Sequence, residues 1–472
     1  MPDSRSSAPT GGERGLRPEL ERALGLALAA LAAFVALTCG SRGHVDRGAA
    51  PLSAAAPLSP SAQLAASAVR TAPLPGPAAA SSGGVPDGAN SAERTLNGDP
   101  AQLNLSHFFA DLAALEQHKR SLPVRVLWLG DSHTAADYLT GALRARLQAR
   151  FGAGGPGFVR IGVRPYRHSQ VHWACDGSWH IEPPQPARRA LYDDGVFGLG
   201  GMRALPGDAP AFASFELSKG TAHGQLRWQL WFSLPEEASF HVDLAGASQA
   251  VTSATAVDTF PGSGVTRLSL VSSLADKLSI TTQHGAARFF GLTVEGSEPG
   301  LVLDAVGIDG ARLATALAWG EPSFETMLAA RAPSLVALAF GTNEAFDADK
   351  VEKYRAQYHD LLGRVRKAAP NADCLIVGPP DANAVQGGSE PRVAEIDVLQ
   401  RSVAAELGCG YSSQLEIMGG PGSYTRWANK SPQLARGDRL HLTPKGYEAV
   451  ADVISDRLLA AYARAIGSAG PR

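Results

Sequence analysis

What most constrains the fold is a pairing that recurs along the chain: a short, mainly apolar run, then an amphipathic helical pattern. VRVLWL, Val124 to Leu129, is such a run, and Asp137 to Arg150 behind it has helical periodicity. LVLDAV from Leu301, LVALAF from Leu335, CLIVGP from Cys374 and CGYSSQ from Cys409 follow the same rule. Helices are expected over Asn104 to Lys119, Ala311 to Ala318, Asp349 to Ala369, Arg392 to Leu407 and Pro444 to Ile466. A strand that is apolar along its whole length must be covered on both faces. Strand and helix in alternation therefore predict an α/β domain, a parallel sheet between helical layers.

Between 152 and 300 the texture changes. Helical periodicity vanishes, turn residues multiply, and short alternating runs take over. Trp228, Leu230 and Phe232 share one face of RWQLWF; Phe240, Val242 and Leu244, and then Phe290, Leu292 and Val294, repeat the alternation. Period two at this spacing predicts an all-β, jelly-roll-like insertion. The α/β domain is then discontinuous, 101–151 and 301–468. Trp231 falls on the other face of RWQLWF. It is either an exposed platform for stacking a sugar ring or a packing residue against the α/β domain. Trp173 and Trp179 are alternative candidates for a platform.

The N-terminal part reads differently again. Residues 1–22 carry Arg14, Arg17 and Arg22, and Ala23 to Cys39 (ALGLALAALAAFVALTC) has no charge. Three readings of segment 23–40 compete: an uncleaved membrane anchor, a cleaved signal peptide, or a lipoprotein signal with Cys39 lipidated. Ala36-Leu37-Thr38 makes a poor lipidation box, which favours the first two. Residues 41–100 are dominated by Ala, Pro, Ser and Gly and are expected to be a disordered linker. The chain is thus expected to be exported to the periplasm or cell envelope. It would contact the cytoplasmic membrane only if the segment stays uncleaved. With 43 basic against 45 acidic residues, nothing calls for a nucleic-acid partner. Cys39, Cys175, Cys374 and Cys409 form no CxxC pair, so neither a cysteine metal site nor a disulfide framework is implied. Cys374 and Cys409 are read as buried free thiols, with a pair left open.

Candidate chemistry sits at predicted strand ends, where open parallel sheets bind ligands. Gly130-Asp131-Ser132-His133 follows the first strand. Val306 to Arg312 (VGIDGAR) follows LVLDAV, Gly341 to Glu344 (GTNE) follows LVALAF, and Asp438 to Tyr447 (DRLHLTPKGY) precedes the last helix. Acyl transfer needs a hydroxyl nucleophile, a base, a group that orients the base, and donors for the oxyanion. Ser132 offers the hydroxyl, His441 the base, and Asp438, three residues earlier, the orienting carboxylate. The N–H groups of Ser132 and Gly310 and the Asn343 amide supply an oxyanion hole. Thr443 and Pro444 fit the start of the last helix and would fix the loop carrying His441. Taken singly, each residue has an ordinary reading: Ser132 as a helix cap, Asp438 and His441 as a surface turn, Asn343 as a turn residue. What favours chemistry is that all follow strand ends of one sheet and complete one constellation. His133 is taken as a structural or substrate-side residue, not the base. No G-x-S-x-G elbow and no convincing metal-ligand spacing occurs.

These blocks resemble those of the SGNH/GDSL hydrolases: Gly130-Asp131-Ser132, Gly310, Gly341-Thr342-Asn343, and Asp438 to His441. GDSH in place of GDSL, GIDGA (Gly307 to Ala311), GTNEAF and GGPGSYTRW look most like the peptidoglycan and polysaccharide O-acetylesterases. The resemblance implies a flavodoxin-like three-layer α/β/α fold, a cofactor-free serine esterase mechanism, and an acetylated polysaccharide as substrate. It also implies an insert similar to a carbohydrate-binding jelly roll. Glu344 departs from the wider family, where Asp is commoner after the Asn. A glycan O-acetyltransferase using the same triad, and a tethered glycan-binding protein with an inactive site, remain open alternatives. The sequence leaves the glycan, the acyl group and the oligomeric state undetermined.

Overall fold

The computed structural model describes residues 103–468 except 165, 177–178, 183–193, 208–209, 256 and 274–276. The expected export segment and linker lie outside these residues. No described helix is long and apolar enough to cross a membrane.

Five parallel strands form the central sheet: β1 (Val124–Gly130), β14 (Leu301–Gly307), β15 (Leu335–Ala339), β16 (Asp373–Gly378) and β17 (Gly410–Ser413). Their order is β14-β1-β15-β16-β17. In order of appearance that is second, first, third, fourth, fifth, the flavodoxin-like arrangement. Every residue of β1 is buried, because its two faces feed two cores. Leu127 and Leu129 join one apolar cluster, and Val124, Val126 and Trp128 join the other.

The second cluster is closed by α1 (Ser106–Glu116), α3 (Leu139–Phe151) and α10 (Pro444–Ser468), through Phe108, Leu143, Leu147, Val450 and Ile454. The first is closed by α5 (Glu321–Arg331), α6 (Glu352–Ala368) and α7 (Pro391–Glu406), through Phe324, Met327, Tyr358, Leu362 and Val403. Helix α5, with Pro322 in its first turn, was not foreseen. Short helices complete the domain: α2 (Ser132–Ala135), α4 (Leu313–Leu317), α8 (Gln414–Met418) and α9 (Ser423–Ala428).

Between β1 and β14 the described strands form two antiparallel sheets. One runs in the order β10 (Asp258–Phe260), β11 (Val265–Ser272), β7 (Leu226–Ser233), β13 (Arg288–Gly296), β5 (Arg203–Pro206) and β4 (Trp179–Glu182), with β2 (Gly157–Val159) also paired to β13. The other runs β3 (Val171–Asp176), β6 (Phe212–Leu217), β12 (Lys277–His284), β8 (Ser239–Leu244) and β9 (Ala247–Val251). The two sheets enclose a separate core that includes Trp228, Leu230, Phe232, Phe240, Val242 and Leu292. The all-β insertion in an α/β fold is therefore present.

Two expectations are corrected here. Trp231 is not an exposed platform: it is fully buried and belongs to the α/β core cluster, with Phe290, Trp319 and Phe324. The back of the β7 sheet docks on the α/β domain at Trp231, while Arg227 and Gln229 on the same face lie outside that contact. Trp173 and Trp179 are no better as platforms. Each spends its indole N–H on a backbone carbonyl, Tyr166 at 2.8 Å and Phe212 at 3.1 Å, and packs on the insert's core. Second, Cys374 and Cys409 are not free thiols but a disulfide. Parallel pairing of Leu375 with Gly410 brings the preceding residues side by side, Cα to Cα 4.8 Å. Cys175 is a buried free thiol.

Candidate active site

Strand β1 ends at Gly130, where nothing larger fits. A Cβ there would lie 2.2 Å from the Thr134 hydroxyl and 2.8 Å from the Ala339 carbonyl. The chain turns at once into α2. Asp131, not Ser132, is the N-cap, its Oδ1 accepting the His133 N–H at 3.0 Å. Ser132 is thus the first helical residue, partly exposed at the sheet's C-terminal edge. Burial pushes the Asp131 carboxyl up to about 6, although the His133 N–H and Thr342 pull the other way.

Ser132 Oγ lies 2.9 Å from His441 Nε2, and His441 Nδ1 lies 3.0 Å from Asp438 Oδ2. The three side chains form one hydrogen-bonded chain across 309 residues of sequence. The loop that carries the last two is well tied. Asp438 Oδ1 accepts the N–H groups of Leu440 (3.0 Å) and His441 (2.8 Å). The Tyr424 hydroxyl sits against Asp438 Oδ1 and against the carbonyls of Arg436 and His441, at 3.1, 2.9 and 3.0 Å. Burial would raise the Asp438 carboxyl, but the His441 ring and these N–H groups outweigh it and hold it well below the usual carboxylate range. It therefore stays charged beside the imidazole, oriented to stabilise an imidazolium. Thr443 Oγ1 accepts the Gly446 N–H at 3.2 Å and starts α10 as its sequence suggests.

Gly310 and Asn343 lie on neighbouring loops. Asn343 Nδ2 donates to the Ala311 carbonyl at 2.9 Å, which commits one amide hydrogen and leaves a second to give. Gly310 takes a φ of +74°, a conformation that favours glycine. Its N–H has no acceptor among the described residues.

The sequence did not reveal what joins these loops. Glu344, buried, accepts the Leu313 N–H at 2.9 Å on one oxygen and the Gly341 N–H at 3.0 Å on the other. Arg312 donates to the Gly310 carbonyl at 3.0 Å and reaches the Asn343 carbonyl at 3.5 Å. It is held by Asp347 at 2.6–3.0 Å. Glu344 had one visible signal, its place after the Asn. Arg312 closes the VGIDGAR segment, but nothing in the sequence marked its pairing with Asp347, which depends on two loops meeting.

His133 is corrected as a substrate-side candidate. It is buried, and its Nδ1 is 2.8 Å from the Tyr447 hydroxyl. Burial first, and the nearby His441 next, push its ring down to about 3, so it is neutral. It packs behind the site, with its ring centroid 5.2 Å from that of His441. Trp231 lies in the core beneath the insert. Among the described residues no group of three His, Cys, Asp or Glu side chains is placed to hold a metal ion.

A cavity of about 410 Å³ opens over Ser132 and His441. Tyr138, Arg167, Asp309 and Arg436 line it with them.

Residues 272–449 match the model of the GDSL-like lipase/acylhydrolase family. That range holds Gly341–Asn343 and Asp438–His441 but not Ser132. A solved peptidoglycan O-acetylesterase is similar over 77% of this chain and 98% of its own, with 27% identity and a TM-score of 0.64. Weaker likenesses reach a lipase/acylhydrolase from Enterococcus faecalis: 17% identity, 34% of this chain and 77% of that one, TM-score 0.27. A family two carbohydrate esterase from Clostridium thermocellum has 10% identity, 54% and 94% coverage, and a TM-score of 0.26. No curated protein matches the sequence. The resemblance to GDSL-like esterases thus stands on a family match and on a structural match.

Proposed function

We propose that this chain is an exported serine esterase that removes O-acetyl groups from a cell-envelope glycan, peptidoglycan above all. The observation that carries the reading is the continuous Ser132–His441–Asp438 hydrogen-bonded chain at the mouth of a cavity. Ser132 Oγ attacks the acetyl carbonyl while His441 Nε2 takes its proton. Asp438 orients the ring and stabilises the imidazolium without taking the proton. The Ser132 and Gly310 N–H groups and the Asn343 amide receive the oxyanion. The sugar oxygen leaves with the proton from His441, and an acetyl-enzyme remains on Ser132. Water, deprotonated by His441, then attacks that ester, and acetate departs as Ser132 recovers its proton.

Support for the glycan comes from the likeness to a peptidoglycan O-acetylesterase, and support for export from the uncharged stretch Ala23 to Cys39 behind Arg14, Arg17 and Arg22. The test is acetate release from O-acetylated peptidoglycan and from acetylated xylan, with Ser132→Ala beside the parent. The reading expects acetate from the parent, faster from peptidoglycan, and none from the folded variant. A Ser132→Ala protein that still hydrolyses acetyl esters near the parent rate would sink the triad. Acetate appearing on an acceptor sugar instead of free in solution would make the chain a transferase.

A further inference from the structure

We propose that Arg167 and Arg436 form an anion-reading rim on the Ser132 cavity, so that the acetylated sugar it takes carries a carboxylate close to the ester. This rests on the esterase reading above and specifies its substrate. Both guanidinium groups are exposed and line the same cavity as Ser132 and His441. One acid among the described residues, Asp309, lines it with them, which leaves the lining net positive.

Neither arginine is paired with a carboxylate among the described residues. Other surface arginines do meet an Asp or Glu, Arg146, Arg267, Arg355 and Arg401 among them. Arg167 is nonetheless held in place. Its guanidinium lies 4.3 Å from the centroid of the Tyr138 ring, and Nη1 donates to the Asp137 carbonyl at 2.8 Å. Tyr138 in turn stacks on Tyr447, 6.0 Å between centroids and 7° between planes. One donor is spent on a neutral carbonyl and the rest of the planar fork is kept for something else. Arg436 is fixed through its backbone instead. Its N–H donates to the His441 carbonyl at 2.8 Å, and its own carbonyl accepts the Tyr424 hydroxyl at 2.9 Å. A stacked guanidinium with unspent donors suits a carboxylate better than sugar hydroxyls, because the paired N–H groups match its two oxygens and the bond is charge-assisted.

The test uses two sugars acetylated on the same primary hydroxyl, N-acetylmuramic acid and N-acetylglucosamine, which differ in one lactyl ether carboxylate. Para-nitrophenyl acetate gauges the triad. The parent should favour the muramic ester in kcat/KM by about 10-fold, the order expected of hydrogen bonds to a charged group. Added salt should shrink that ratio. Arg167→Gln and Arg436→Gln should each lower it, and the double variant should bring it close to one. Thermal midpoints within error of the parent's would show that the variants are folded. Equal rates on the two sugars by a parent that cleaves para-nitrophenyl acetate, or a preference that survives in the double variant, would overturn the rim and leave the esterase standing. Cleavage of none of the three esters would instead strike the esterase reading. Calorimetric binding of free N-acetylmuramic acid against N-acetylglucosamine then still decides the rim, with tighter muramic acid expected and equal binding against it.

Discussion

Glu344 and Leu313 are joined by a 2.9 Å hydrogen bond from the Leu313 N–H to the Glu344 carboxylate, across 31 residues. The second carboxylate oxygen accepts the Gly341 N–H, so one side chain sets the spacing of the loops bearing Gly310 and Asn343. Glu344→Gln keeps the shape but turns one acceptor into a donor, and one of the two N–H groups loses its partner. Steady-state rates on para-nitrophenyl acetate should show kcat lowered by up to about 10²-fold, with KM little changed. A rise in KM alone would mean that Glu344 supports binding rather than the geometry of the hole.

The same residue predicts a pH effect on stability. Burial pushes the Glu344 carboxyl from its ordinary 4.5 up to about 7. Across that window the folded chain holds a proton that the unfolded chain releases. Its contribution is fully present below 4.5 and is lost as the pH rises through about 7. Urea unfolding of the parent and Glu344→Gln, below and above the window, should show the parent losing ground to the variant as pH rises. A constant difference would show that Glu344 titrates at its ordinary value in the fold.

Asn343 spends one amide hydrogen on Ala311 and keeps one for developing charge. Asn343→Ala should lower kcat by about 10²–10³, the usual loss of one oxyanion donor, with KM close to the parent's. If affinity falls and turnover does not, the amide binds substrate rather than the oxyanion.

Trp231 lies where two domains share a core. Trp231→Ala should destabilise the chain by about 3–5 kcal/mol. Corrected for the folded fraction, turnover of an acetylated glycan and of para-nitrophenyl acetate should change by the same factor. A loss confined to the glycan would revive a role in sugar binding.

The Cys374–Cys409 bond closes a separation of 35 residues at the N-terminal ends of β16 and β17, the edge away from Ser132. Replacing both cysteines with alanine should cost about 3–4 kcal/mol on a loop-entropy estimate. The folded double variant should hydrolyse para-nitrophenyl acetate at the parent rate. A slowed folded variant would show that strain at one edge of the sheet reaches the other.

The parallel sheet was legible because β1, β14, β15 and β16 are mainly apolar with no in–out alternation, and a strand of that kind is stable only when both its faces are covered. Ser132 and Asn343 could be picked out because they follow strand ends, and Asp438 and His441 because they share a short segment just before the last helix. Trp231 could not be placed. Alternation says which residues share a face but not whether the opposite face meets water or a second core. The disulfide was left open and ranked behind free thiols because strand register, not sequence distance, brings Cys374 beside Cys409. The Arg312–Asp347 pairing, and the bridging role of Glu344, escaped for a like reason: neither exists until two loops are folded together. Helix α5 was hidden by a proline that sits harmlessly in its first turn.

The insertion has no outer skin of its own on the side of β7. Phe158, Trp231, Val265 and Phe290 lie in the same apolar cluster as Trp319, Phe324 and Met327 of the α/β domain. Apolar surface shared in this way ties the melting of one part to the other, so heat should take both in a single cooperative step. It also means that neither part can be cut out as a portable module: excising the β region would leave an open hydrophobic wound beside the catalytic sheet.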